Sequence, residues 1–144
     1  MPLSVNGNSS ILLVGFDPKP EETLTRCLRE HYQVLSAASS KKALVLIESG
    51  PADLVLCCHN PEDDRIQLLE TVRIRHPETI RLLQGDLDDD QVHAAINRAA
   101  IFQFVPSGWV PQQIELLIRR ALENRELAYR HRHISHELKF AEDV

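Results

Sequence analysis

Five short apolar runs alternate with five stretches in which apolar residues recur every three or four positions. The runs are Ile11 to Val14, Tyr32 to Ala37, Leu54 to Cys58, Thr79 to Leu83 and Phe102 to Val105. They are strand-sized, and the first and third are apolar throughout, as in strands buried on both faces. The stretches between them carry Leu24, Cys27 and Leu28, then Ala43, Leu44 and Ile47, then Ile66, Leu69 and Val72. The last two carry Val92, Ala95, Ile96 and Ala99, and Ile114, Leu117, Ile118 and Ala121. Each set falls on one face of a helix. Breakers stand between the elements: Asp17-Pro18-Lys19-Pro20 after the first strand, Gly50-Pro51 after the second helix, Pro77 after the third. Ser39-Ser40 and Asp88 are placed to cap helices, and Pro111 suits a first helical position. Strand followed by helix, five times, predicts an α/β fold: a five-stranded parallel sheet with helices on both faces and right-handed crossovers. In such sheets sites form where loops leave the carboxyl ends of the strands.

The pattern divides the chain into a polar, flexible lead-in at 1–10, a domain at 11–122 and a helical extension at 123–144. In the extension Leu127, His131, Ile134, Leu138 and Ala141 are spaced 4-3-4-3, the seam of a two-helix coiled coil. That predicts a homodimer, with the helix leading into a further C-terminal domain. Composition fits a single folded domain: 144 residues, 43% hydrophobic, 26% charged. The net charge of −5 lies wholly in residues 1–110, because Lys/Arg and Asp/Glu balance from Pro111 onward. An acidic body argues against direct nucleic-acid binding by this segment. No run approaches the length of a membrane span, and no basic residue precedes the first apolar run as in a signal peptide. Cys27, Cys57 and Cys58 make no disulfide framework, so a cytoplasmic, reduced protein is expected.

Order, spacing and strand ends over about residues 10–125 resemble the receiver domain of two-component response regulators, of flavodoxin-like (βα)5 architecture. The resemblance implies roles for the strand tips, and the residues there depart from the family's pattern. Where the family has an acidic pair that binds magnesium, this chain has Gly15 and Phe16, with Asp17 next along. Where it has the phosphoacceptor aspartate, five residues after an acidic residue like Asp53, this chain has Cys58; Pro61 lies close to the family's loop proline. The hydroxyl position is Gln84, followed by Gly85. The lysine position is Ser107, followed by Gly108 where the family often has proline. Phe104 holds the place of the switch aromatic. The expectation is a pseudo-receiver with no enzymatic activity, no cofactor and no magnesium, Asp17 being the one carboxylate left for a metal. It would act through the surface of the fourth helix, fifth strand and fifth helix.

Two other chemistries compete. Cys58 at an exposed strand tip could be a thiol redox sensor if its pKa were lowered. Ile134-Ser135-His136-Glu137-Leu138-Lys139 resembles the phosphoacceptor box of histidine kinases, which would make His136 a phosphotransfer residue; Phe140-Ala141 follow where that box has a small polar residue and proline. The adjacent Cys58-His59 pair points to opposite sides of a strand. The acidic group Asp86, Asp88, Asp89 and Asp90 reads as a helix N-terminus. Finally, E-N-R-E-L continuing into E-L-K-F-A-E-D resembles the linker that follows the receivers of NtrC-like transcription activators, particularly hydrogenase-gene regulators. That resemblance implies an attached output domain.

Overall fold

A computed structural model describes the backbone of residues 9–143 and the side chains of residues 9–127. The described residues form β1 (Ser10–Val14), α1 (Pro18–Leu28), β2 (Gln33–Ala37), α2 (Ser40–Ser49), β3 (Leu54–Cys58), α3 (Arg65–Arg75), β4 (Ile80–Gln84), α4 (Asp89–Ala99), β5 (Gln103–Val105) and α5 (Pro111–Asp143). All strand pairs are parallel, in the order β2-β1-β3-β4-β5. The expected architecture is therefore the observed one.

The strands alternate their burial between two layers. Ile11, Leu13, Leu54, Leu56 and Leu82 pack with Leu24 and Leu28 of α1 and Ile114, Ile118 and Leu122 of α5. Leu12, Val14, Val55, Cys57 and Leu83 pack with α2, α3 and α4 on the other side. This two-sided burial is why β1 and β3 carry no polar residue between Ile11 and Val14 or between Leu54 and Cys58. Helix starts follow the cap residues. Ser39 accepts the Lys42 N–H at 3.2 Å, and Asp88 and Gln91 form a reciprocal capping box. The prolines at 18 and 20 open α1 rather than merely ending β1, since a first-turn N–H has no helical partner to lose.

Several boundaries differ from the expected ones for identifiable reasons. β1 takes in Ser10, assigned above to the lead-in, because its N–H and hydroxyl both bond Asp53 Oδ2, at 2.8 and 3.3 Å. Tyr32 stays outside β2: its N–H closes the end of α1 on Leu28 O, and its ring is buried under α5. Thr79 precedes β4 and turns its hydroxyl to Ala52 O at 2.6 Å. Ile96 is 52% exposed, since α4 packs chiefly through Ala95 and Ala99, with Ala94 partly buried beside them.

α5 passes the predicted boundary at 122 without a break. Arg125 still belongs to the body. Its Nη2 lies 2.9 Å from Asp53 Oδ1, and its Nη1 donates to Asp53 O at 3.0 Å and Glu78 O at 3.2 Å.

Candidate functional site: the strand tips around Arg65

The ladder aligns the carboxyl ends of four strands, β1, β3, β4 and β5. Val14 pairs with Cys57, Cys58 with Gln84, and Gln84 with Val105. The backbone bonds continue past the strands, Gly15 N–H to Ala37 O at 2.8 Å and His59 N–H to Gln84 O at 2.7 Å. Gly15, Cys58 and Gln84 therefore surround one spot at the top of the sheet.

That spot is filled by an arginine that sequence reasoning did not single out. Arg65 is the first residue of α3, and helical side chains lean toward the helix N-terminus. The preceding loop is held by Asn60, whose side chain accepts the Glu62 N–H at 2.8 Å, and by Asp64, which caps α3 through the Gln67 N–H at 2.9 Å. This geometry folds Arg65 back over the tip of β3, where it is only 2% exposed. Its Nε donates to Cys58 O at 3.4 Å and its Nη1 meets Asp63 Oδ2 at 2.7 Å. Gly15 makes room for it. The residue sits at φ +76°, and a Cβ added there would collide with Arg65 Nη2 and lie 2.7 Å from its Cζ.

Asp63 links the guanidinium to the start of α2, since the same oxygen accepts the Ser40 N–H at 2.8 Å. Burial alone would raise its pKa; the bonds from Ser40 and the Arg65 charge outweigh that, and the carboxyl lies below its usual value. A depressed carboxylate contributes stability above its unfolded pKa and loses it as pH falls through the folded one. Asp63→Asn is thus expected to lower stability at neutral pH and to flatten the loss of stability on acidification. Urea midpoints measured from neutral pH down through the carboxylate range check this; an unchanged acid limb would contradict it.

The other expected site residues are placed as follows. Cys58 is half-buried, and burial pushes its thiol pKa up, with Arg65 acting in the opposite direction. That net rise works against the thiolate a redox sensor needs. Cys57 is fully buried and its pKa is raised further. Gln84 is buried; its Nε2 donates to Pro106 O at 3.4 Å, and its Oε1 has no hydrogen-bond partner. Ser107 does not turn toward Cys58; its hydroxyl donates to Asp86 Oδ1 at 2.9 Å. Phe104 is half-buried against the α2–α3–α4 layer, and Phe16 packs into the opposite one. Asp17 is the N-cap of α1, without a side-chain capping bond. Leu127 is 59% exposed, whereas the side chains of His131, Ile134, His136, Leu138 and Ala141 lie outside the described residues.

A hard divalent cation takes six or so oxygen ligands. Around this tip glycine offers no side chain, phenylalanine offers carbon, and the thiol is held protonated. Asp63 is engaged twice, and a guanidinium already occupies the space. The residues present do not fit magnesium. Among the described residues no group of three or more His, Cys, Asp or Glu side chains is arranged to hold a metal.

The fold has known counterparts. The signal receiver domain of an HD-domain-containing protein from Pseudomonas fluorescens Pf-5 is 30% identical, with a TM-score of 0.77 over 88% of this chain and 96% of that one. The chain belongs to the receiver domain family of response regulators. A CheY-like receiver domain from Methanospirillum hungatei JF-1 shares the fold at a TM-score of 0.78 and 22% identity, covering 83% of this chain and 98% of that one. No family model matches the sequence. Among curated proteins, this receiver domain is 30% identical over 121 residues to the hydrogenase transcriptional regulatory protein HoxA of Cupriavidus necator. It is 28% identical over 123 residues to the HoxA of Bradyrhizobium diazoefficiens. These matches cover 83% and 84% of the chain but 25% of each relative, so the chain spans about a quarter of the length of the curated relatives it matches. Among its described residues no helix is long and apolar enough to cross a membrane.

Proposed function

We propose that this receiver domain is a pseudo-receiver: a non-catalytic signalling module that works by protein contact without a phosphorylation cycle. The observation that carries this is the tip of β3. Phosphoryl transfer needs an acceptor and a metal to neutralise the developing charge. Here the tip presents the protonated Cys58 thiol beside a buried guanidinium. In this reading the domain regulates an attached output domain in the cytoplasm. The names of the curated relatives support a transcriptional output. The extension of α5 joins two copies through the seam that begins at the exposed Leu127. Ile96, Phe102 and Leu116, all exposed on α4, the approach to β5 and α5, give the body an apolar surface for contact.

The test is to incubate the protein with magnesium and acetyl phosphate and record its intact mass. No phosphoryl adduct is expected. An adduct would overturn the reading, and its lability would locate it: acid-labile but base-stable at His136 or Cys58, base-labile at an acyl phosphate.

A further inference from the structure

Magnesium and the residues at the strand tips disagree, and the disagreement has a single physical centre. We propose that Arg65 is a tethered cation that permanently takes the place of a divalent metal at the top of the sheet, with Asp63 as its fixed counter-ion, and that this charge is what bars a metal from the site. The proposal rests on the pseudo-receiver reading and adds what maintains it.

Three observations carry it. The guanidinium and any side chain at position 15 exclude one another, so the emptied tip of β1 and the filled space above it are one arrangement. A cation as buried as Arg65 persists only when paired and hydrogen-bonded, and it is both, through Asp63 and Cys58 O. The pairing also engages Asp63, the carboxylate that meets the guanidinium. Asp63 Oδ2 serves both Arg65 Nη1 and the Ser40 N–H, which ties α3, the β3–α3 loop and the start of α2 into one charge-balanced cluster. A dication entering there would meet a like charge and a spent ligand.

The proposal is tested by manganese titration followed by electron paramagnetic resonance, manganese alone being the probe. Two carboxylates are restored in Phe16→Asp/Cys58→Asp, and the cation is then removed in Phe16→Asp/Cys58→Asp/Arg65→Ala. The expected result is no saturable site in the wild type, and binding at least about tenfold tighter in the triple variant than in the double variant. Equal titrations of double and triple variant, whether both bind or both stay inert while folded, would overturn the proposal. Should the triple variant not fold, Arg65→Ala and Arg65→Lys serve in its place. Manganese gains a site on the freed Asp63 and Asp17 only in the first, because the second keeps the cation; a gain in both or in neither overturns the proposal. Failure of the broader reading looks different: the wild type itself would bind manganese or take up a phosphoryl group.

Discussion

Gly15→Ala is expected to cost this domain about 3–5 kcal/mol, far more than an added methyl group implies. Two effects combine. At φ +76° a residue with a Cβ pays about 1 kcal/mol or more for the left-handed backbone. The new Cβ would also occupy the position of the Arg65 guanidinium, and the backbone of β1 cannot yield, because Gly15 N–H is bonded to Ala37 O. Arg65 must therefore leave, and breaking a partly buried pair from one side costs about 3 kcal/mol, since Asp63 keeps its charge and is left with the Ser40 N–H. The two penalties overlap in what the chain can relax, so their full sum is not expected. The diagnostic is non-additivity. With Arg65→Ala in place the collision is gone, and Gly15→Ala should then cost only the backbone share, about 1 kcal/mol, giving a coupling of about 2 kcal/mol or more. Urea denaturation of the four proteins measures it, and additive effects would show that Gly15 and Arg65 do not compete for the space.

The fold was legible because each element announces itself locally. Ile11–Val14 and Leu54–Cys58 are strands buried on both faces, and Ser39 and Asp88 cap the helices they precede. What failed to show were effects of tertiary approach. Ile96 has helical spacing with Val92, Ala95 and Ala99, yet it faces outward, because two alanines let α4 lie close enough to need no larger side chain. Arg65 follows Glu62, Asp63 and Asp64, so in sequence it looks like a solvated charge at a helix start. Its burial depends on a gap left some fifty residues earlier, at Gly15. One signal could have raised the question: a strand tip stripped of carboxylates leaves a space and removes its charge, and a nearby arginine with an aspartate two residues before it can fill both. Ser107 matches the family's lysine by position alone; which partner its hydroxyl finds, Asp86 across the neighbouring loops, is not written in the local sequence.

At the opposite end of the sheet, Arg125→Ala is expected to cost about 2–4 kcal/mol and to loosen α5 from that point outward. Arg125 is 72 positions from Asp53, and its side chain is 11% exposed against 28% for the aspartate. The guanidinium holds three acceptors, two on Asp53 and one at Glu78 O. Asp53 in turn holds the start of β1 through the N–H and hydroxyl of Ser10. One side chain thus ties the helix to the base of β1, β3 and β4, two residues before the exposed Leu127. If the two copies meet through the extension, this joint sets the direction in which the helix leaves the body. Asp53→Asn should cost less, because an amide oxygen still accepts one of these bonds while the charge is lost. The double variant should cost less than the two changes summed, since each residue is the other's main partner. Hydrogen exchange separates the joint from a general loss of stability. In Arg125→Ala, amides beyond position 125 should exchange faster while those of β1, β3 and β4 keep their protection. Uniform acceleration would mean that Arg125 supports the whole body. A loss under about 0.5 kcal/mol with unchanged exchange would mean that the apolar face of α5 seats the helix by itself and that the ion pair contributes nothing there.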